Sequence, residues 1–364
     1  MTPNLPTIDE LLGEATAKGA SDLHLKPGAA PTIRIDGVLE PIEEPVLDAA
    51  EVERYLDAII PDRLRPEFKE HHEADFAYTA GFGERFRVNA FRQRGRTTIA
   101  IRAFRKSDED LEALGLPPVV AQLAGEMRGL LLVTGPTGSG KSTTLAAVID
   151  LINRSRRVNI ITIEDPIEVL HSDKLSLVSQ REVGVDTAGF AEAMRRVLRQ
   201  DPDVILVGEM RDADTIDAGL KAAETGHLVL STLHTLNAAE TVNRILEFFS
   251  GSRQAQVRRM LAGTLRGIIS QRLLVRATGA GRVPAVEVLV NTERISERIA
   301  DPALTHELPE VMAEGAYYGM ETFDQSLLRL AGTSVVTFDE AMSHATNPAD
   351  LRLRAQQLGI VVAS

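Results

Sequence analysis

Apolar residues recur along this chain with two different periods, and the switches between them outline its elements. Ile8, Leu11, Leu12 and Ala15 fall at helical spacing, which predicts an amphipathic helix over residues 8–19, ended near Gly19. Residues 20–25 (Ala-Ser-Asp-Leu-His-Leu) and 31–37 alternate apolar and polar positions, like two strands joined by a Pro/Gly turn. Residues 50–72 return to helical spacing, with breaks expected at Pro61 and Pro66. Residues 85–91 and 98–103 alternate again about a turn at Arg94-Gly95, with Phe86, Val88 and Ala90 on one face and Arg85, Arg87 and Asn89 on the other. A two-residue turn sets Arg87 directly opposite Arg102. Like charges in that position are destabilising. Either an anion site explains the cost, or the two arginines splay into solvent.

Farther along, strands read as continuous apolar runs. Residues 129–134, 158–163, 204–207, 227–231 and 285–290 are such runs, and helical patterns separate them. That alternation predicts an α/β fold built on an open parallel sheet. The charged stretch Ser107-Asp108-Glu109-Asp110 and the following Gly115-Leu116-Pro117-Pro118 read as a linker. The expected division is a small α+β domain over residues 1–106, a linker over 107–118, a core over 119–290 and a helical region over 291–364.

The sharpest chemical signal is Gly135-Pro136-Thr137-Gly138-Ser139-Gly140-Lys141-Ser142, followed by Thr143. An apolar run precedes it, and a helix pattern follows in which Leu145, Val148, Ile149 and Ile152 share one face. Strand, glycine loop and helix form the context that the phosphate-binding GxxxxGK[ST] motif requires. The glycines let successive backbone N–H groups turn onto phosphate oxygens, and the positive end of the helix adds to that field. Lys141 would reach the β- and γ-phosphates, and the Ser142 hydroxyl would ligate Mg²⁺. A chance glycine turn would not match every motif position in this context. The stretch predicts a nucleoside triphosphate site.

Three other runs end in polar groups. Asp203-Val204-Ile205-Leu206-Val207-Gly208-Glu209 is a buried strand ending in an acid. Ligands of open α/β sheets collect outside the carboxyl ends of the strands, so Glu209 is expected beside the triphosphate, serving Mg²⁺ directly or through water. Asp203, at the other end, reads as structural. Residues 160–163 lead into Glu164, Asp165, Pro166 and Glu168. Pro166 forbids a continuing strand, so the three acids are expected on a rigid loop where one could orient and deprotonate water. Spacing does not choose among them. His227 and His234 bracket the third run; His234 and Thr232, at its carboxyl end, suit a sensor of the γ-phosphate, and the alternative for His234 is a hydrogen-bonded core histidine. His24 has no companion ligands at metal spacing and reads as a sheet histidine. Arg195, Arg196 and Arg199 close a helix, where cations are stabilised.

Composition narrows the class. The chain has 364 residues, 44% of them hydrophobic, enough for two full cores. It contains no cysteine, which excludes disulfides and thiolate metal sites and fits a reducing compartment. Forty basic against 52 acidic residues give a net charge of −12, and tryptophan is absent. That balance and the scarcity of stacking residues argue against a nucleic-acid translocase. No apolar stretch reaches a membrane-spanning length and the polar N-terminus lacks a signal-peptide core. The expectation is a cytoplasmic protein without direct membrane insertion, reaching a membrane through a partner.

Together these motifs resemble the bacterial secretion ATPases of the GspE/VirB type, most closely the PilT-type ATPases that retract type IV pili. The likeness covers nearly the whole chain: residues 20–25, residues 85–91, the phosphate loop, an Asp box (161–168), a Walker B run with Gly208-Glu209-Met210-Arg211-Asp212, a His box (226–235), and Gly319-Met320-Glu321-Thr322-Phe323-Asp324-Gln325. The resemblance implies a homohexamer of RecA-like ATPase domains with PAS-like N-terminal domains. It implies ATP and Mg²⁺ as ligands and an inner-membrane pilus platform protein as partner, with a second ATPase of the same kind as a further one. It implies that Glu168 is the catalytic carboxylate, that Glu209 serves the metal, and that Arg87 and Arg102 grip the γ-phosphate. Two departures bear on direction of filament movement. The retraction signature Ala-Ile-Arg-Asn-Leu-Ile-Arg-Glu is mostly lost at Arg294-Ile295-Ser296-Glu297-Arg298-Ile299-Ala300-Asp301. Assembly ATPases carry a long extra N-terminal region and a tetracysteine module, and this sequence shows neither.

Overall fold

The computed structural model describes residues 5–35, 37–106 and 110–360; Asp36 and linker residues 107–109 lie outside the described residues. The chain divides between Arg105 and Lys106 into two compact units. The first contains α1 (Ile8–Ala17), β1 (Asp22–Leu25), β2 (Thr32–Ile35), β3 (Val38–Pro41), α2 (Ala49–Ile59), α3 (Arg65–His71), β4 (Glu73–Thr79), β5 (Arg85–Gln93) and β6 (Arg96–Ala103), with the two-residue β7 (Arg105–Lys106) at the boundary. The six longer strands form one antiparallel sheet in the order β3-β2-β1-β6-β5-β4. Helix α1 starts at a capping box, with Thr7 accepting from the Glu10 N–H and Glu10 accepting from the Thr7 N–H. Its apolar stripe, Ile8, Leu11, Leu12 and Ala15, is buried with Leu23, Leu25, Ile33, Phe86, Val88, Ile99 and Ile101. Pro66 does not break a helix as expected; it occupies the first turn of α3, where its missing N–H has no partner to lose.

The hairpin register follows the sequence reading: Arg87 stands opposite Arg102. The alternation that buries Phe86, Val88 and Ile101 turns both arginines to the sheet's other face. There Arg102 pairs with Asp22, Nε to Oδ1 at 2.7 Å, and Arg87 lies 3.8 Å from Asp75.

The second unit contains α4 (Val119–Ala124), β8 (Gly129–Thr134), α5 (Lys141–Ser155), β9 (Asn159–Glu164), β10 (Val169–Leu170), β11 (Leu177–Glu182), α6 (Phe190–Val197), β12 (Val204–Val207), α7 (Ala213–Glu224), β13 (Leu228–Leu233), α8 (Ala238–Glu247), α9 (Gly251–Thr264), β14 (Leu265–Val275), β15 (Arg282–Val290), α10 (Glu293–Ala300), α11 (Leu308–Glu314), α12 (Phe323–Gly332), α13 (Phe338–Ser343) and α14 (Pro348–Gln357). Its seven-stranded sheet runs β11-β9-β12-β13-β8-β14-β15, parallel throughout except for the antiparallel pair β14–β15. Period two decides which helices each strand meets. Leu130 and Leu132 join the core beneath α6–α9, while Leu131 and Val133 join the one beneath α4 and α5. This is a RecA-like α/β layer structure, and the first unit is a smaller α+β domain. Strands β11 and β14 have no counterpart among the expected runs. β11 is a half-exposed edge strand of mixed polarity, and β14 carries Gly267, Ser270, Gln271 and Arg272 among its apolar positions. A separate core packs Leu274, Val283 and Ala285 against Phe323, Leu327, Leu351 and Ala355 of the C-terminal helices.

Candidate active site

Strands β9, β12, β13 and β8 are consecutive neighbours and run in one direction, so their carboxyl ends share one edge. Leu233 is level with Thr134, and Val207 with Ile163. The loop of residues 135–140, Glu209, His234 and the Asp-box acids all follow from those ends.

Three glycines of the loop, Gly135, Gly138 and Gly140, take positive φ. Gly135 has φ +141°, and a Cβ there would stand 2.5 Å from the Gln271 carbonyl oxygen and 2.6 Å from Ser139 Oγ. Gly140, at φ +91°, is the left-handed N-cap of α5 and brings no side-chain cap. By contrast α7, α8, α10 and α12 are capped by Asp212, Asn237, Thr292 and Thr322. The first-turn N–H groups of α5, at Lys141, Ser142 and Thr143, therefore end at an uncapped helix N-terminus, the field an anion needs. Pro136, Thr137, Gly138 and Ser142 are exposed, whereas Ser139 is buried and its hydroxyl has no protein partner. Lys141 is buried at the head of α5 and donates from Nζ to the carbonyl oxygens of Gly135 (2.8 Å) and Pro136 (3.0 Å). Desolvation pulls the Lys141 ammonium below its usual range, and the fields of Glu209 and Glu168 oppose that. Orphaned hydroxyl, uncapped N–H groups and a lysine spent on loop carbonyls together fit a phosphate chain.

Glu209 is half-buried and its Oε2 accepts from Arg211 Nε at 2.7 Å, with His234 Nε2 at 3.4 Å. The exposed His234 thus lies beside the expected metal carboxylate, and Thr232 braces the strand by donating to the Gly208 carbonyl at 2.7 Å. Arg211 was not singled out from sequence; its place two residues beyond Glu209 is the signal that could have found it. A cleft of about 780 Å³ opens here among Glu209, Arg211, His234, Asn237, Asn243 and Arg244.

The Asp box needs a correction. Glu164 is not on the loop after the strand but is the last residue of β9. Thr162 Oγ1 donates to its Oε1 at 2.6 Å and Gln180 Nε2 at 3.1 Å. Burial outweighs these bonds and pushes its carboxyl above the usual range. Asp165, just before Pro166, and Glu168, two residues after it, are exposed. Asp203 receives the Asn159 backbone N–H at 2.8 Å at the opposite edge. Arg87 and Arg102 belong to the N-terminal unit and lie on the polar face of its sheet. Among the described residues no group of acids and histidines forms a protein-only metal site, and no helix is long and apolar enough to cross a membrane.

The chain is similar over most of its length to known proteins. It is 43% identical over 341 residues to the type IV pilus retractation ATPase PilT of Pseudomonas aeruginosa, covering 94% of this chain and 98% of that protein. It is 39% identical to the type IV pilus ATPase PilU of the same organism, covering 95% of this chain and 90% of that one. The crystal structure of the pilus retraction motor PilT with bound ADP superposes with a TM-score of 0.87 at 42% identity, covering 96% of this chain and 99% of that one. The family model of type II/IV secretion system proteins matches residues 2–307. With its phosphate loop, Walker B acid and His box on one sheet edge, this chain belongs to the type II/IV secretion system protein family.

Proposed function

We propose that this protein hydrolyses ATP with Mg²⁺ as a homohexamer and uses the energy to retract type IV pili. The observation that carries the reading is the gathering of the phosphate loop, Glu209, His234 and the Asp-box acids at one sheet edge, in a chain that matches a retraction ATPase almost end to end. The loop N–H groups and the first turn of α5 bind phosphate oxygens, and the Ser139 hydroxyl gains the partner it lacks. Lys141 exchanges its bonds to Gly135 and Pro136 for the β- and γ-phosphates. Ser142 and Glu209 would hold Mg²⁺, which neutralises charge on the phosphate oxygens when bound. Glu168 accepts the proton of the attacking water. The water oxygen bonds to the γ-phosphorus as the bridge to the β-phosphate breaks, giving ADP and phosphate. Glu164 suits that role less, because its carboxylate is engaged by Thr162 and Gln180 and disfavoured by burial. His234 senses the γ-phosphate beside Glu209. Arg87 and Arg102, lent by a neighbouring copy, grip that phosphate and release it after hydrolysis. The partner is the pilus platform protein at the cytoplasmic face of the inner membrane.

Glu168→Gln should keep ATP binding and lower turnover about a hundred-fold or more, whereas Lys141→Ala should lose binding and turnover together. Near-normal turnover of Glu168→Gln would move the base to Asp165 or Glu164. A deletion strain that is hyperpiliated and does not twitch supports retraction; one lacking pili refutes it. A second reading, an accessory ATPase working beside a retraction motor, is favoured by the similarity to PilU and by the altered stretch Arg294–Asp301. It is the better one if purified protein hydrolyses ATP but restores twitching only when another retraction ATPase is present.

A further inference from the structure

The polar face of the N-terminal sheet carries an in-register row across four strands. Arg34 on β2 is opposite Asp22 on β1, Asp22 is opposite Arg102 on β6, and Arg102 is opposite Arg87 on β5. Opposed side chains in a sheet start about 5 Å apart, so the Asp22 carboxylate lies between the guanidinium groups of Arg34 and Arg102, while Arg87 has the Asp75 carboxylate 3.8 Å away. Asp22 is 9% exposed, whereas the Arg102 side chain is 71% exposed. The carboxylate accepts from Ser21 Oγ at 2.7 Å and from Arg102 Nε at 2.7 Å, and Arg34 Nε lies at 3.9 Å. Arg34 also donates from Nη1 to the Gly37 carbonyl.

The mode of the Asp22–Arg102 bond matters. A guanidinium has five N–H donors in one rigid plane. Asp22 takes the Nε–H and leaves the two Nη groups unclaimed by that carboxylate. The bond fixes the plane and much of the rotamer entropy of a long side chain, while the outer fork stays turned toward solvent. An arginine held in this way is pre-organised to meet a second, incoming anion, and the repulsion from Arg87 is partly offset while none is bound.

We propose that Asp22 is a positioning residue for the reaction: it sets Arg102 so that the Nη fork meets the γ-phosphate held by a neighbouring copy. The proposal rests on the reading that Arg102 acts in trans. Burial raises the Asp22 carboxyl and the bonds from Ser21 and Arg102 lower it, with a net displacement below the usual range. It is therefore charged at neutral pH.

The test is a complementation experiment with three variants: Lys141→Ala, which keeps its arginines but loses the lysine of its phosphate loop, Arg102→Ala and Asp22→Ala. Alone, Asp22→Ala is expected to lower kcat about ten- to a hundred-fold, the range for a mis-set catalytic group, with KM for ATP unchanged within about two-fold. Co-assembled with Lys141→Ala, both Arg102→Ala and Asp22→Ala should regain turnover, because each then borrows an intact Arg102. Recovery of Arg102→Ala without recovery of Asp22→Ala overturns the proposal, as the Asp22 defect would then lie in its own subunit. An Asp22→Ala with ordinary kcat overturns it too. No recovery of Arg102→Ala overturns the trans reading and the proposal with it. If Asp22→Ala does not assemble, the isosteric Asp22→Asn, which keeps an oxygen for Nε–H but no charge, serves in its place. It should show a smaller fall in kcat and the same recovery in the mixture.

Discussion

Lowering pH should destabilise the RecA-like unit through one histidine outside the reaction. His171 follows β10, and its backbone N–H donates to Gln180 Oε1 at 2.9 Å. Burial pushes its imidazole from 6.5 down to about 4, with Asp150 of the phosphate-loop helix acting to raise it and Lys174 to lower it. Asp150 and Lys174 are themselves paired at 2.5 Å, which blunts both influences. A folded-state pKa below the unfolded one means the unfolded chain takes up the proton first, so stability is present above about pH 6.5 and drains away as pH falls toward 4. The full difference corresponds to about 3 kcal/mol, and about 2 kcal/mol of it is lost between about pH 7 and pH 5. Urea unfolding of the wild type and of His171→Gln over that range measures it as the difference between two slopes. Glu164 and Glu287, both raised by burial, titrate in both proteins and cancel. NMR titration of carbon-13-labelled histidine reads the pKa directly. Equal losses in both proteins, or an imidazole titrating near 6.5, would refute the reasoning.

Three further variants probe backbone conformation and packing. Gly135→Ala forces a Cβ against the β14 backbone at a φ that side chains rarely adopt, so it should cost about 1–3 kcal/mol in backbone strain alone and displace the loop. Gly138→Ala, with φ +81° and no atom within 4 Å of the added carbon, should cost about 1–2 kcal/mol from its dihedral alone. Urea unfolding without nucleotide separates them, and equal destabilisation would discount the contact with Gln271. Phe323→Ala removes a fully buried ring lying 3.9 Å from the Arg272 guanidinium carbon, and should cost about 3–5 kcal/mol. A loss under about 1 kcal/mol would show that the C-terminal core closes over the gap.

Local pattern was enough for those parts of the protein whose physics is local. The phosphate loop is legible because glycine spacing, lysine and a hydroxyl are all demanded within eight consecutive residues. The apolar runs at 129–134, 204–207 and 227–231, the last of which extends as a strand over Leu228–Leu233, are legible because a strand covered on both faces tolerates few polar positions. Period two likewise set Arg87 against Arg102, since a hairpin's register follows from its turn. What the sequence left open depends on residues far apart in the chain. Asp22 lies eighty positions from the arginine it holds, and only sheet pairing brings them together. Chain order alone puts Glu164 on a loop, whereas pairing with the later edge strand β11 extends β9 as far as Glu164 and lets Gln180 bond its carboxylate. Strand β14 carries Gly267 because a side chain there would collide with Leu123, and Ser270 and Gln271 because they bond Thr134 and Thr144 on either side of the phosphate loop. Chain order determined which chemical groups this protein possesses. Sheet order decided which of them meet, because distance in a folded chain is set by strand pairing and not by position in sequence.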